Sequence, residues 1–189
     1  MSLTFVVSAP AGSGKTTLVN RLKQEMPRIK ETVSCTTRSP RVNEVDGVDY
    51  HFISKEQFQK AIEHNEFLEW VMLYDDYYGT LTNEIARLHD QGNHAILVID
   101  TQGACKLKSK LDAIFIFISP PSLEELRRRL ESRGTESSAS IEKRLKWAVE
   151  ELQKIPFYDY HIINDNLDVA FDALCSIIIA EECRIRSKI

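Results

Sequence analysis

Eight consecutive residues, Ala9-Pro10-Ala11-Gly12-Ser13-Gly14-Lys15-Thr16, have the types and order of a phosphate cradle. In such a loop the backbone N–H groups turn inward on an anion and a lysine reaches the outer phosphates. A hydroxyl is left for Mg²⁺, and the following helix presents its positive dipole end. The pattern G-x-x-x-x-G-K-[ST] is met at every fixed position but the first, where Ala9 stands for glycine. A methyl there is harmless at negative φ and costs about 1–2 kcal/mol at positive φ.

Two further groups carry chemistry. Ser34-Cys35-Thr36-Thr37-Arg38-Ser39-Pro40-Arg41 holds two arginines three apart, and Asp49-Tyr50 and Tyr77-Tyr78-Gly79-Thr80 follow. Two guanidinium forks with phenol donors suit a phosphate monoester. A solvated basic loop beside two core tyrosines fits the same residues. Asn65-Glu66-Phe67-Leu68-Glu69-Trp70 sets acids beside an aromatic. A guanine edge, with N1–H and N2–H₂ donors and an O6 acceptor, calls for a carboxylate opposite the donors and a hydroxyl or amide opposite O6. Glu69, Asp100 and Ser34 are of those types, although nothing in the linear order brings them together. Arg129 and Arg133, i and i+4 on one helix face, repel unless an anion lies between them; the alternative is that Glu125 pairs with Arg129 on a solvated face.

These residues need a frame. Apolar, β-rich runs recur at residues 3–8, 94–100, 113–119 and 160–164. Two of them, Ala95-Ile96-Leu97-Val98-Ile99 and Ile114-Phe115-Ile116-Phe117-Ile118, are apolar at every position, as strands covered on both faces are. The class is therefore α/β with a parallel sheet. Residues 33–83 break the alternation with short strands, turn signals at Asp46-Gly47 and Tyr78-Gly79, and a helix opened by Ser54-Lys55-Glu56-Gln57. They form an inserted lobe. Residues 123–152 give two charged helices, the first opened by a capping box at Ser122-Leu123-Glu124-Glu125. A polar, mobile stretch at residues 134–140 separates them, and the pair has the character of a lid.

The 189 residues suit one core with small insertions. With 43% apolar and 28% charged residues and a net charge of −4, the chain is not a general nucleic-acid binder. No leader pattern or bilayer-length apolar run is present, so the expected location is the cytoplasm, away from membranes. The four cysteines lack C-x-x-C spacing and read as free thiols, with Cys175 and Cys183 both packing inward from the last helix. The five histidines are scattered, and no metal site built of side chains is expected.

The phosphate loop, S-x-T-T-R-x-P-R at residues 34–41, G-x-D-Y at 47–50, N-E-F-x-E-W at 65–70, Y-Y-G at 77–79, I-D-x-Q-G at 99–103 and R-L-x-x-R-G-T at 129–135 follow one another along the chain. Over essentially its full length the sequence resembles the guanylate kinase family of P-loop nucleoside monophosphate kinases. The resemblance implies transfer of the γ-phosphoryl of ATP to GMP, and to dGMP, with Mg²⁺ as cofactor and no obligate protein partner. It implies a P-loop core with a five-stranded parallel sheet (residues 1–32, 84–122 and 153–189), a GMP-binding lobe (33–83) and a helical lid (123–152). Arg38, Arg41, Tyr50 and Tyr78 resemble the GMP phosphate clamp, and Ser34, Glu69, Thr80 and Asp100 the guanine contacts.

On the ATP side the resemblance implies contacts from Ala9, Pro10, Ala11, Gly12, Ser13, Gly14, Lys15, Thr16 and Thr17, with Asn164 at the adenine. Thr16 would hold Mg²⁺ with the ATP phosphates, and Asp100 would reach it through water. Lys15, Arg38 and the lid arginines Arg129, Arg133 and Arg144 would be catalytic. The chain departs from the family pattern at Ala9 and Ala11, which replace glycine and serine, and at Val98, where many members carry aspartate. Two rival readings are a non-catalytic interaction module of the same fold and a kinase for another small phosphorylated substrate.

Overall fold

The computed structural model describes residues 2–73, 75–132, 134 and 137–186. Strand β1 (Thr4–Ser8) leads through the loop into helix α1 (Lys15–Glu25), and β2 (Ile29–Glu31) follows. The inserted segment holds β3 (Cys35–Thr36), β4 (His51–Phe52), α2 (Lys55–Glu63), β5 (Phe67–Leu73) and β6 (Asp76–Leu81). The chain then forms α3 (Thr82–Asp90), β7 (His94–Val98), α4 (Thr101–Leu107), β8 (Ile114–Ser119), α5 (Leu123–Ser132), α6 (Ser138–Leu152), β9 (Tyr160–Ile163) and α7 (Leu167–Cys183).

The main sheet is parallel, in the order β2-β7-β1-β8-β9. Four of its strands are the apolar runs of the sequence. The fifth, β2, has only three residues with Lys30 exposed, and an edge strand that short leaves no periodic signal. Leu18, Val19 and Leu22 of α1 and Phe171, Leu174 and Ile178 of α7 cover one face, while Leu88 of α3 and Ala104 and Leu107 of α4 cover the other. All five strands point the same way, so the segments leaving their carboxyl ends crowd one edge, the usual place for ligands in open α/β sheets.

The inserted segment builds a second sheet, β4-β3-β6-β5. Ser54 opens α2 with the full reciprocal capping box. The turn expected at Tyr78-Gly79 is not one. Gly79 lies inside β6, opposite Trp70, where a Cβ would meet Phe67 Cδ1 at 2.9 Å and Phe58 Cζ at 3.0 Å. Close packing against two rings calls for this glycine, not chain reversal.

Helices α5 and α6 pack on each other through Leu126, Leu130, Ile141, Leu145 and Ala148, a cluster separate from both faces of the sheet. At the start of α5 the Ser122 hydroxyl accepts from Glu125 N–H at 3.1 Å, while the Glu125 carboxylate turns to Arg128 and Arg129. The polar stretch before α6 is partly a helix start, with Ser137 as its cap and residues 138–140 in the first turn. The cysteines are free; Cys175 packs against the sheet core, but Cys183, the last residue of α7, is exposed. No described helix is long and apolar enough to cross a membrane.

Candidate active site

The loop after β1 is shaped by its backbone. Gly12 and Gly14 hold φ at 95° and 87°, the left-handed region that a side chain disfavours. Ser13 N–H donates to Pro10 O at 3.1 Å. Ala9 is not among the residues of positive φ and its methyl is buried in the sheet core, so the missing glycine carries no strain. Ala9 and Pro10 point their side chains inward, whereas Ala11, Thr16 and Thr17 are exposed.

Asn164 does not stand at an open adenine face. It is 3% exposed, and its Nδ2 donates to Ser13 O at 2.8 Å. A Cβ on Gly14 would lie 2.3 Å from that nitrogen. The carboxamide therefore packs against the loop and helps fix its shape, its donor reaching the Ser13 carbonyl from the end of β9.

Lys15 extends along the sheet edge, its Nζ 3.5 Å from the Ile99 carbonyl. Burial lowers its pKa, while the charges of Glu151, Asp100 and Glu31 act in the opposite direction. Asp100 caps α4, its Oδ1 accepting from Gln102 N at 2.6 Å and Gly103 N at 3.0 Å. Position 98 supplies no carboxylate here; Val98 packs on the sheet core. The second carboxylate beside Lys15 is Glu151, from the last turn of α6. Burial pushes it up to about 7, against the pull of the Lys15 charge.

Across the cleft, Thr80 N–H and Oγ1–H both donate to Glu69 Oε1, at 3.1 and 3.0 Å. Ser34 Oγ is 3.1 Å from Thr80 Oγ1. Since the Thr80 proton goes to Glu69, Ser34 is the donor of that pair. Glu69 is 6% exposed. Burial pushes it up to about 7, the Thr80 hydroxyl pulling it down and the Asp100 charge adding to the rise. Farther along the lobe, Arg38 forks onto Glu44 at 2.8 and 2.9 Å and lies 5.5 Å from the Tyr50 ring centre. The Tyr50 and Tyr78 rings meet edge to face at 6.0 Å. Glu44 also accepts Arg41 N–H at 2.7 Å, and its pairing with Arg38 lowers its pKa and raises that of the guanidinium.

The glycine loop, the Ser34–Thr80–Glu69 chain and the group of Arg38, Tyr50 and Tyr78 thus lie on one chain in the order of the motifs. The family model described as Guanylate kinase matches residues 1–181. A guanylate kinase of Protochlamydia amoebophila is 54% identical over 98% of this chain and 94% of its own length. One of Caldanaerobacter subterraneus subsp. tengcongensis is 47% identical over 97% of this chain and 89% of its own. The chain belongs to the guanylate kinase family. The crystal structure of guanylate kinase from Anaplasma phagocytophilum, 33% identical, superposes with a TM-score of 0.79 over 97% of this chain and 87% of that one.

Against the guanylate kinase pattern, the lid arginines divide. Arg129 Nε pairs with Glu125 Oε1 at 2.7 Å, as the solvated-face alternative requires. Arg144 lies on α6 seven residues before Glu151, hence on the helix face that turns to Lys15. Arg133 lies outside the described residues. Glu44 and Glu151 are the functional candidates that sequence reasoning missed. Glu44 follows Arg38 by six residues in a polar loop. Glu151 follows Glu150 in a charged helix and reads as surface until α6 is folded back on the loop.

Proposed function

We propose that this guanylate kinase, which phosphorylates GMP at the expense of ATP, divides the work between the sheet edge and the two inserted segments. The backbone N–H groups of residues 11–16 and the Lys15 ammonium hold the ATP phosphates. Arg38, Arg41, Tyr50 and Tyr78 hold the GMP phosphate, Glu69 and Asp100 accept from guanine N1–H and N2–H₂, and Ser34 and Thr80 face O6. Arg129, Arg133 and Arg144 meet the transferring phosphoryl when the lid (123–152) and the lobe (33–83) close on the core. Asn164 serves ATP through the loop. The same contacts admit dGMP, since none of them uses the ribose 2′-hydroxyl, and the reaction belongs in the cytoplasm.

The donor set fits Mg²⁺. No group of three or more His, Cys, Asp or Glu side chains among the described residues could hold a metal by itself. An exposed Thr16 hydroxyl at the end of the phosphate loop, with the Asp100 charge acting on the neighbouring Lys15, suits an ion that would keep phosphate oxygens and waters as ligands. When bound, Mg²⁺ neutralises charge on the β- and γ-phosphates.

The attacking oxygen is on the GMP phosphate, whose second pKa near about 6 leaves it largely dianionic at neutral pH, so no general base is needed. The barrier is the approach of two polyanions. Lys15 and the arginines offset it by cancelling charge and holding donor and acceptor in line. Closure of lobe and lid keeps water from taking the phosphoryl group.

The observation that carries this reading is the chain Ser34–Thr80–Glu69, in which both Thr80 donors are fixed on one oxygen of a buried carboxylate. Adenine would set an acceptor nitrogen against Glu69 and an amino group against the hydroxyls, and sites built on such pairing discriminate by about 10⁴-fold. Turnover coupled to ADP formation, with GMP, dGMP, AMP, UMP and dTMP, tests the selectivity. Glu69→Gln is expected to raise the KM for GMP about 10–100-fold, the worth of a hydrogen bond to a charged group, with the KM for ATP within about twofold. Equal losses for both substrates would overturn the assignment.

A further inference from the structure

The segment I-D-x-Q-G at residues 99–103 supplies Asp100 to the site and leaves its glycine unexplained. Gly103 sits in the first turn of α4 and is not among the glycines of positive φ. No backbone conformation calls for it, and glycine within a helix is less favourable than alanine. Its surroundings do call for it. A Cβ at position 103 would lie 2.8 Å from Glu69 Oε2 and 3.4 Å from Glu69 Cδ. On its other side, Gly103 N–H donates to Asp100 Oδ1 at 3.0 Å. One residue therefore serves both carboxylates, holding Asp100 through its N–H and leaving to Glu69 the space a Cβ would fill.

Glu69 has little room to yield. Its Oε1 is fixed by two Thr80 donors, and its strand, β5, is tied to α4 one turn farther on by Lys106 Nζ, which donates to Trp70 O at 2.8 Å. We propose that Gly103 is a specificity-determining positioning residue. Its missing side chain lets the lobe carboxylate of Glu69 settle on α4 beside Asp100, and so sets the spacing of the pair that meets guanine. The proposal rests on the reading of Glu69 and Asp100 as the guanine-facing acceptors. A methyl at 103 would force the Glu69 carboxylate, the far end of its side chain, off its present position. The fold tolerates that shift, and hydrogen-bond recognition of a base does not.

The test compares Gly103→Ala, Glu69→Gln and the double variant in steady-state kinetics with ATP and GMP, together with thermal melting. Gly103→Ala is expected to melt no lower than the parent, to keep the KM for ATP within about twofold, and to raise the KM for GMP about tenfold or more. In the Glu69→Gln background the same substitution should add less than about twofold, because the group it displaces has already lost its function. Shortening the side chain should relieve the clash, so Gly103→Ala should also add little to Glu69→Asp. An unchanged KM for GMP in Gly103→Ala overturns the proposal. So does an increase that persists in full in the Glu69→Gln background, or one accompanied by a lower melting point and weaker ATP use. If Glu69→Gln itself leaves GMP use intact, the reading of the site fails; a Gly103→Ala effect in that case would act through some other group and would overturn the proposal as well.

Discussion

The two sides of the cleft are built by different means. On the proposed ATP side the loop is set by backbone shape: two glycines at positive φ, a turn from Ser13 to Pro10, and Asn164 braced against the Ser13 carbonyl. On the proposed GMP side and in the proposed lid, the charged groups already have side-chain partners, Arg38 with Glu44, Glu69 with the Thr80 hydroxyl, and Arg129 with Glu125. A loop held by its own backbone meets phosphates without rearranging, so its donors are preorganised. Side chains paired in the unliganded protein must exchange partners for substrate, which ties binding to movement of the segments that carry them.

If that contrast holds, the largest effect of a single small change should fall on the loop. Gly14→Ala meets strain at φ 87° and a contact of 2.3 Å with Asn164. Positive φ costs a non-glycine residue about 1–2 kcal/mol, and displacing Asn164 from the Ser13 carbonyl adds about 1–3 kcal/mol for an unsatisfied buried group. The expected outcome is a loss of kcat/KM for ATP of at least about 10²-fold and a melting point lowered by several degrees. An active, equally stable variant would mean that the loop adapts as the lobe does, and the contrast would fail.

The lid gives the next test, because it is the point where the two modes meet. A Cβ on Gly12 would lie 3.0 Å from both Leu126 Cδ1 and Leu130 Cδ2, so α5 rests on the loop through its own small core. Leu130→Ala removes a fully buried side chain, a change worth about 2–5 kcal/mol in a well-packed core. Since the lid cluster is separate from the sheet, the cost should appear as local opening. Amide exchange in α5 and α6 should accelerate and kcat should fall about tenfold, with exchange in β1, β7 and β8 unchanged. Leu97→Ala, in the sheet, should accelerate exchange everywhere. Uniform acceleration in both variants would show lid and sheet to be one cooperative unit.

How much of this was legible in the sequence follows the same division. The loop could be read residue by residue because its chemistry lies in backbone conformation and a contiguous motif. The strands on either side could be read because continuous apolar runs suit only a doubly covered sheet. β2 was too short to announce itself. Gly79 was misread because glycine marks close packing in a strand as readily as it marks a turn. Asn164, assigned to adenine by the resemblance, is buried against the Ser13 carbonyl, and no one-dimensional sign says which way a carboxamide faces. Glu151 bears on Lys15 only because α6 folds back, an electrostatic interaction between residues far apart in the chain. The Arg38–Glu44 pair, by contrast, was local and could have been anticipated from a carboxylate six residues beyond an arginine in a tight loop.

The pairing of Glu69 with Thr80 sharpens the comparison through pH. In the unliganded protein Glu69 titrates near about 7, and the carboxylate form accepts from guanine. Between pH 8 and pH 6 the ionised fraction falls about tenfold, so kcat/KM for GMP should fall by about that factor, with a further twofold at most from the GMP phosphate itself. Glu69→Gln should flatten the larger part of the profile. Stability moves the other way. Folded Glu69 retains its proton to higher pH than the unfolded chain, whose glutamates ionise near about 4.3. Its contribution is therefore full in acid and is lost as the pH rises through the window up to about 7. A GMP profile unaffected by Glu69→Gln would transfer the titration to Glu151, on the ATP side.

The smallest effect should come from the pairing within α5. Glu125 bridges Arg128 and Arg129 at the surface of α5, and these two partners hold its carboxyl down at about 2, yet exposed ion pairs of this kind contribute little to stability once water screens them. Glu125→Gln should leave the melting point within about a degree of the parent. Its consequence should be kinetic and slight. Arg129, released from its intrahelical partner, no longer has to exchange a carboxylate for a phosphate, and the KM for ATP should fall by about twofold or less, most visibly at low ionic strength. A large loss of activity would instead mean that Glu125 aims Arg129 at the substrate, and that pairing in the lid is preorganisation of the same kind as the loop's.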